Sequence, residues 1–137
     1  MPYQVLISST QKDWDLAENL AQSVRETGAD VVSIVKTSAQ GEAVDISLRR
    51  ALQKADEVVI ILTDRSLNDP LLLLEMGAAF SLRKRLIPIL VGIEDSEIPP
   101  LIARFPYVRY SQLRRYLSEL QERAKSPAGD SPMAAVR

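Results

Sequence analysis

Glu75 is the one charged side chain between Leu71 and Phe80 in the stretch DPLLLLEMGAAF, Asp69 to Phe80. An ionised carboxylate is costly to bury alone. In this run it must therefore face a polar cleft, pair with a cation, or keep its proton. A placed reactive group fits that pattern. So does a structural ion pair with Arg83 or Arg50, or exposure at a helix margin, because structural pairs perturb carboxylates as readily as function does. A second group of candidates is Ser8, Ser9, Thr10 and Gln11, whose hydroxyls and amide suit a sugar or a phosphate. The same residue types also serve as turn and capping residues.

Composition narrows the chemistry further. The 137 residues include no His and no Cys. Disulfides, thiolate nucleophiles, the usual zinc sites and all Ser-His or Cys-His arrangements are thereby excluded. What remains are carboxylates, hydroxyls, Lys, Arg and backbone amides. Seventeen basic residues against eighteen acidic leave a net charge of −1, which gives no sign of a nucleic-acid-coating surface. No apolar run reaches the roughly 18 residues of a membrane span. No signal-peptide pattern opens the chain, so the expected location is the cytoplasm.

The elements that must position these residues alternate regularly. Tyr3–Ser9 reads as a buried strand. Asp13 is placed as the N-cap of a helix whose Leu16, Ala17, Leu20, Ala21 and Val24 share a face, with Gly28 as its stop. Asp30–Val35 is the second strand, and the polar loop KTSAQGEA follows, Lys36 to Ala43. Leu48, Ala51, Leu52 and Ala55 mark a second helix, and Glu57–Thr63 a third strand.

Asp69 and Pro70 start the helix of Glu75, as cap and first helical residue. That helix is expected to run to about Arg83, buried nearly all round by its Leu residues. RLIPILVG is a fourth strand, placed towards the sheet edge by Pro88. A Pro-broken segment then leads to a short strand in PYVRY and to a last helix capped by Ser111. Residues 1–125 form one domain in this reading, and 126–137 a disordered tail or linker.

This order predicts an α/β fold, a flavodoxin-like three-layer sandwich around a five-stranded parallel sheet of order 2-1-3-4-5. Ligands of such sheets bind beyond the C-terminal strand ends, where the first and third strands diverge. Ser8–Gln11 and Thr63–Ser66 lie there, and the helix of Glu75 begins just beyond. The loop from Lys36 to Ala43, with Thr37, Ser38 and Gly41, sits at the same end. It is long enough to move over a ligand or meet a partner, or to be an ordinary connection. The chain has no GxGxxG after its first strand and no GxxxxGK[ST]. Ser8-Ser9 stands where a phosphate-accepting receiver would need acidic residues.

The ordered set VLISSTQKDWDLAENL, SLRRALQKADEVVIILTDRSLNDPLLLLEMGAAF and RLIPILVGIEDSEIPPLI resembles the Toll/interleukin receptor (TIR) domain in its bacterial form, from Tyr3 to about Ala124. The resemblance implies that Glu75 is the catalytic glutamate of NAD+-cleaving members. It implies that Ser8 and Ser9, with Thr10 and Gln11, border the nicotinamide and ribose. Thr37 and Ser38 fall in the family's BB loop, beside the nucleotide and often used in self-association. Leu71 takes the place, four residues before the glutamate, where the family usually has a stacking Trp.

The implied activity is an NAD+ glycohydrolase or ADP-ribosyl cyclase in signalling or defence, with NAD+ as substrate and no cofactor or metal. Nicotinamide leaves as a neutral molecule, so one carboxylate suffices to stabilise the oxocarbenium-like ribosyl cation. Self-association into a dimer or filament, and a fused or separate sensor domain, complete the expected partners. Neither nucleic acid nor membrane is among them. A non-catalytic TIR scaffold is the alternative reading. A third is an enzyme like the nucleoside deoxyribosyltransferases, which carry a glutamate followed by Gly and Ala on an equivalent helix.

Overall fold

Strand residues of this chain alternate between two helix-covered faces, and that alternation decides which side chains can meet. The computed structural model describes residues 2–37 and 42–125, with the side chains of 33–37 and 42–47 left aside. Five strands, β1 (Gln4–Thr10), β2 (Asp30–Thr37), β3 (Glu57–Thr63), β4 (Arg85–Val91) and β5 (Val108–Arg109), form one sheet. Their order is β2-β1-β3-β4-β5 and every pairing is parallel. The helices are α1 (Trp14–Glu26), α2 (Glu42–Lys54), α3 (Pro70–Ser81), the single turn α4 (Pro100–Ala103) and α5 (Leu113–Lys125).

Two cores result. Val5, Ile7, Val59, Ile61 and Ile89 pack with Ala17, Leu20 and Val24 of α1 and with Tyr116 and Leu120 of α5. Leu6, Val58, Ile60, Leu62 and Leu90 pack on the other face with Ala51 and Leu52 of α2, Leu72, Met76 and Ala79 of α3, and Ile102. Burial of one such aliphatic side chain is worth about 1.5–3 kcal/mol, so the two layers dominate the fold. Even-numbered positions of β1 face α3. Ser8 shares the parity of Leu6 and is directed at the helix of Glu75.

The α/β class, the strand order and the all-parallel pairing agree with the expectation from sequence. Several local readings do not. The helix α3 is not buried all round, because Leu71 is 36% exposed, Leu74 71% and Phe80 63%. It lies on the sheet by one side only, and nothing described covers the other. It ends at Ser81, not Arg83. Arg83 adopts the left-handed region at φ 60°, with its N–H donating to Phe80 O and the Lys84 N–H donating to Ala79 O. This pair of bonds is a Schellman termination with Arg in the place usually held by Gly.

Lys36 and Thr37 belong to β2, because β1 continues to pair as far as Thr10 with Thr37. Glu42 and Ala43 open α2. The rest of the expected loop, 38–41, lies outside the described residues, as does the expected tail 126–137. Ser111 falls inside a 3-10 turn, Tyr110–Gln112, that precedes α5. Pro88 is in the penultimate strand, whose outer side meets β5 only at Ile89 and Leu90.

Candidate functional site

Glu75 is 1% exposed. Asp69 fixes the register of α3 by accepting the Leu71 and Leu72 N–H groups with its side chain, and Pro70 follows as the first helical residue. Glu75 then falls one turn further on, on the buried side with Leu72, Met76 and Ala79. Ser8 Oγ donates to Glu75 Oε2 at 2.5 Å. The other carboxylate oxygen, Oε1, is buried without a hydrogen-bond partner among the described residues.

Burial pushes the Glu75 carboxyl up to about 7, against a smaller opposing pull from the Ser8 hydroxyl, which favours the ionised form. Of the three fates open to a lone carboxylate, pairing with a cation is absent among the described residues, and burial favours the protonated form. The structural alternatives fail among the described residues. Neither Arg83 nor Arg50 pairs with Glu75, and Glu75 is not at an exposed margin. A buried acceptor left unsatisfied costs about 1–3 kcal/mol, and such a group calls for an explanation.

The other expected residues divide. Ser9 is buried and donates to Thr10 O at 2.9 Å. Thr10 Oγ1 donates to Asp13 Oδ2 at 3.2 Å. Gln11 is exposed at the start of a 3-10 turn, Gln11–Asp13. Thr37 ends β2 opposite Thr10, and Ser38 lies outside the described residues. Leu71 is four residues before Glu75 on α3, at the helix's outer margin. The structure thus joins Ser8 to Glu75 directly and leaves Thr10 and Thr37 on neighbouring strand ends.

Asp13 has a larger part than the expected cap. It stands at the N-cap position of α1, yet its side chain makes no capping bond. Instead it is buried and accepts from Thr10, from Thr63 Oγ1 at 3.0 Å, and from Arg65 Nη2 at 2.8 Å. It therefore ties the loop after β1 to the loop after β3 at the switch point of the sheet. The sequence clue was Thr63-Asp64-Arg65, a hydroxyl and a cation facing Asp13 across that divide.

A third buried carboxylate, Glu57, lies at the opposite end of the sheet. Glu57 accepts from Tyr3 Oη at 2.9 Å, from Tyr116 Oη, and from Arg123 Nε and Nη2 at 2.9 and 3.0 Å. Burial, with the negative charge of Glu57 second, raises the Tyr3 and Tyr116 hydroxyls far above their ordinary value. Glu57 is paired and saturated where Glu75 is neither. The contrast separates a structural carboxylate from a candidate reactive one.

A doubly wound parallel sheet with a buried carboxylate near its switch point defines a class of α/β domain in which ligands generally bind beyond the carboxyl ends of the strands. The chain matches the TIR domain over residues 5–123, and it belongs to the TIR-domain family. No curated protein sequence matches it significantly.

Among solved structures it is similar to the TIR domain of Toll-related receptor TRR-2 from Hydra magnipapillata, at 15% identity and TM-score 0.67, covering 87% of this chain and 98% of that one. It is similar to a CMP N-glycosidase from Clostridium botulinum, at 18% identity and TM-score 0.63, again covering 87% and 98%. The TIR domains of the activated Roq1 resistosome align at 12% identity and TM-score 0.56, covering 98% and 95%. At these identities the likeness is one of fold.

Proposed function

We propose that this TIR domain cleaves the bond between nicotinamide and ribose in NAD+, with Glu75 as the catalytic carboxylate. The observation that carries the reading is Glu75 itself: buried, without a cation partner among the described residues, held by one hydroxyl, and on the helix that follows β3 at the strand-order reversal. The C1′–N bond breaks with its electron pair passing to the nicotinamide nitrogen. Positive charge develops at C1′ and the ring oxygen, where ionised Glu75 opposes it. Water attacks C1′ and loses a proton, giving ADP-ribose; attack by an adenine nitrogen would give a cyclic product. Ser8 keeps the carboxylate oriented, and Ser9, Thr10, Gln11, Thr37 and Ser38 are assigned to the rim. Leu71 offers an apolar surface to the ring but no stacking face. That a CMP N-glycosidase shares the architecture supports base–ribose cleavage on this frame.

At 1% exposure Glu75 meets substrate only after its surroundings open. Self-association is assigned that role, in a dimer or filament, with a sensor domain or partner as trigger. No helix among the described residues is long and apolar enough to cross a membrane, and the cytoplasm is the proposed location. The exposed Leu71 and Leu74 favour a second reading, a scaffold that only assembles.

Nicotinamide release from NAD+ by concentrated or crowded protein decides between them. Cleavage by wild type and its loss in Glu75→Ala is the expected result. Release that persists in the variant overturns the assignment of Glu75, and absence of release from assembled protein leaves the scaffold.

A further inference from the structure

β5 is too short to cover β4. It pairs with Ile89 and Leu90 alone, and Arg85–Pro88 has no strand on its outer side among the described residues. The notch so left is a groove of about 730 Å³ between α3 and α5, within the roughly 300–1,000 Å³ of small-molecule sites. Its apolar wall includes Leu73, Met76 and Phe80 of α3, and Phe80 meets Phe105 edge-on at 5.9 Å between ring centroids.

Its charge is one-sided. Lys84, Arg85, Arg104 and Arg123 line it against the single carboxylate of Glu119. Arg123 is engaged by Glu57, and Lys84 Nζ donates to Gln53 O. Arg85 is also ion-paired with Glu57, at 3.8 Å from Nε to Oε1, but that Nε is buried without a hydrogen bond and the side chain keeps 19% exposure. Arg104 is exposed, and its guanidinium has no hydrogen-bond or ion-pair partner among the described residues. An apolar, partly aromatic trough with one guanidinium unpartnered, Arg104, and a second, Arg85, ion-paired with Glu57 but short of a hydrogen bond at Nε, is complementary to one kind of molecule.

We propose that this notch binds a small amphipathic anion, an aryl or alkyl body carrying a carboxylate or a phosphate. The body lies along Leu73, Met76 and Phe80, and the anion meets Arg85 and Arg104. Pro88 lacks the N–H that an added peptide strand would need at the edge, which favours a small molecule over β-addition. The site lies along the outer edge of β4, on the β5 side of the sheet, and it does not depend on the NAD+ reading.

Gly77 supplies a clean test. It lines the groove, and a Cβ built there meets no atom within 4 Å. Gly77→Leu therefore fills the trough while strengthening the helix. The probes are 4-phenylbutyrate and phenyl phosphate, titrated into the full chain and followed by amide chemical shifts and calorimetry. Phenylbutylamine and inorganic phosphate are the controls.

The expected result is saturable binding by at least one aryl anion, with shifts at Leu73, Gly77, Phe80 and Leu86. Binding weakens at least tenfold in Gly77→Leu and severalfold in Arg104→Gln. Which probe binds tighter tells carboxylate from phosphate. Equal binding of the amine, saturation of the same amides by inorganic phosphate alone, or indifference to Gly77→Leu overturns the proposal. So does failure of both anions to saturate by about 10 mM, weaker than even a few good contacts would give.

Discussion

Ser8 Oγ and Glu75 Oε2 meet at 2.5 Å across 67 residues of chain, and this bond is the only one that Glu75 makes with its side chain among the described residues. Two requirements of the fold bring them together. The pleat of β1 sends Ser8 to the same face as Leu6, and the Asp69 cap sets α3 so that Glu75 turns inward. A carboxylate held in this way is near the balance between its two protonation states at neutral pH. That balance makes it measurable.

Stability should carry its signature. Folded, Glu75 keeps its proton up to about 7, whereas its ordinary value is 4.5. Between these values the native state binds more protons than the unfolded chain, so stability falls as pH rises and levels off above the window. The full effect is about 3 kcal/mol. Glu75→Gln keeps the shape and an acceptor for Ser8 without the charge. Urea unfolding should find the variant more stable than wild type at pH 8, by up to about 3 kcal/mol, and nearly equal to it at pH 4.5. A constant difference between these pH values would contradict the buried, unpaired carboxylate.

Catalysis should follow the opposite limb. Only ionised Glu75 opposes a ribosyl cation, so kcat/KM for nicotinamide release should rise with pH through about 7. The Ser8 hydroxyl lowers that midpoint by bonding the ionised form. Ser8→Ala should move it alkaline by roughly one pH unit, the size expected of a hydrogen bond to a charged group. A profile centred at the same pH in wild type and variant would remove Ser8 from the proposed machinery.

Much of this is legible in the residues themselves. Continuous apolar strands and interleaved helical faces specify a parallel sheet, and Asp69-Pro70 marks the start of α3. What sequence could not supply was side-chain direction. Glu75 and Glu57 both sit beside apolar runs, yet only in space does one find Tyr3, Tyr116 and Arg123 while the other finds a single hydroxyl. Asp13 read as a cap because capping and tertiary hydrogen bonding use the same residue types. The Leu run of α3 misled for a related reason: composition reports how apolar a helix is, not how many of its sides have a neighbour.

Glu57 should prove purely structural. Removing one partner from a buried, hydrogen-bonded charge cluster costs about 3–5 kcal/mol. Glu57→Ala leaves the Tyr3 and Tyr116 hydroxyls and Arg123 without their shared acceptor. Chemical denaturation should record a loss of that size. If the variant remains folded, its pH profile for nicotinamide release should keep the wild-type midpoint, because Glu57 lies at the far end of the sheet. A shifted midpoint would show the two carboxylates to be coupled.

Leu71 and Leu74 allow assembly and nucleotide contact to be separated. Both are exposed on α3, at 36% and 71%, but only Leu71 is one turn from Glu75 towards the crevice. Leu71→Trp supplies the stacking face that Leu lacks, and base–aromatic stacking is worth about 1–3 kcal/mol. It should lower KM for NAD+ roughly tenfold, with little change in sedimentation. Leu74→Asp places a charge on the outer apolar surface. It should shift sedimentation velocity towards monomer and reduce nicotinamide release in proportion, with the residual activity recovered at higher protein concentration. Activity lost with unchanged assembly in Leu74→Asp would place Leu74 at the reaction site instead, and an unchanged KM in Leu71→Trp would put the ring of NAD+ elsewhere.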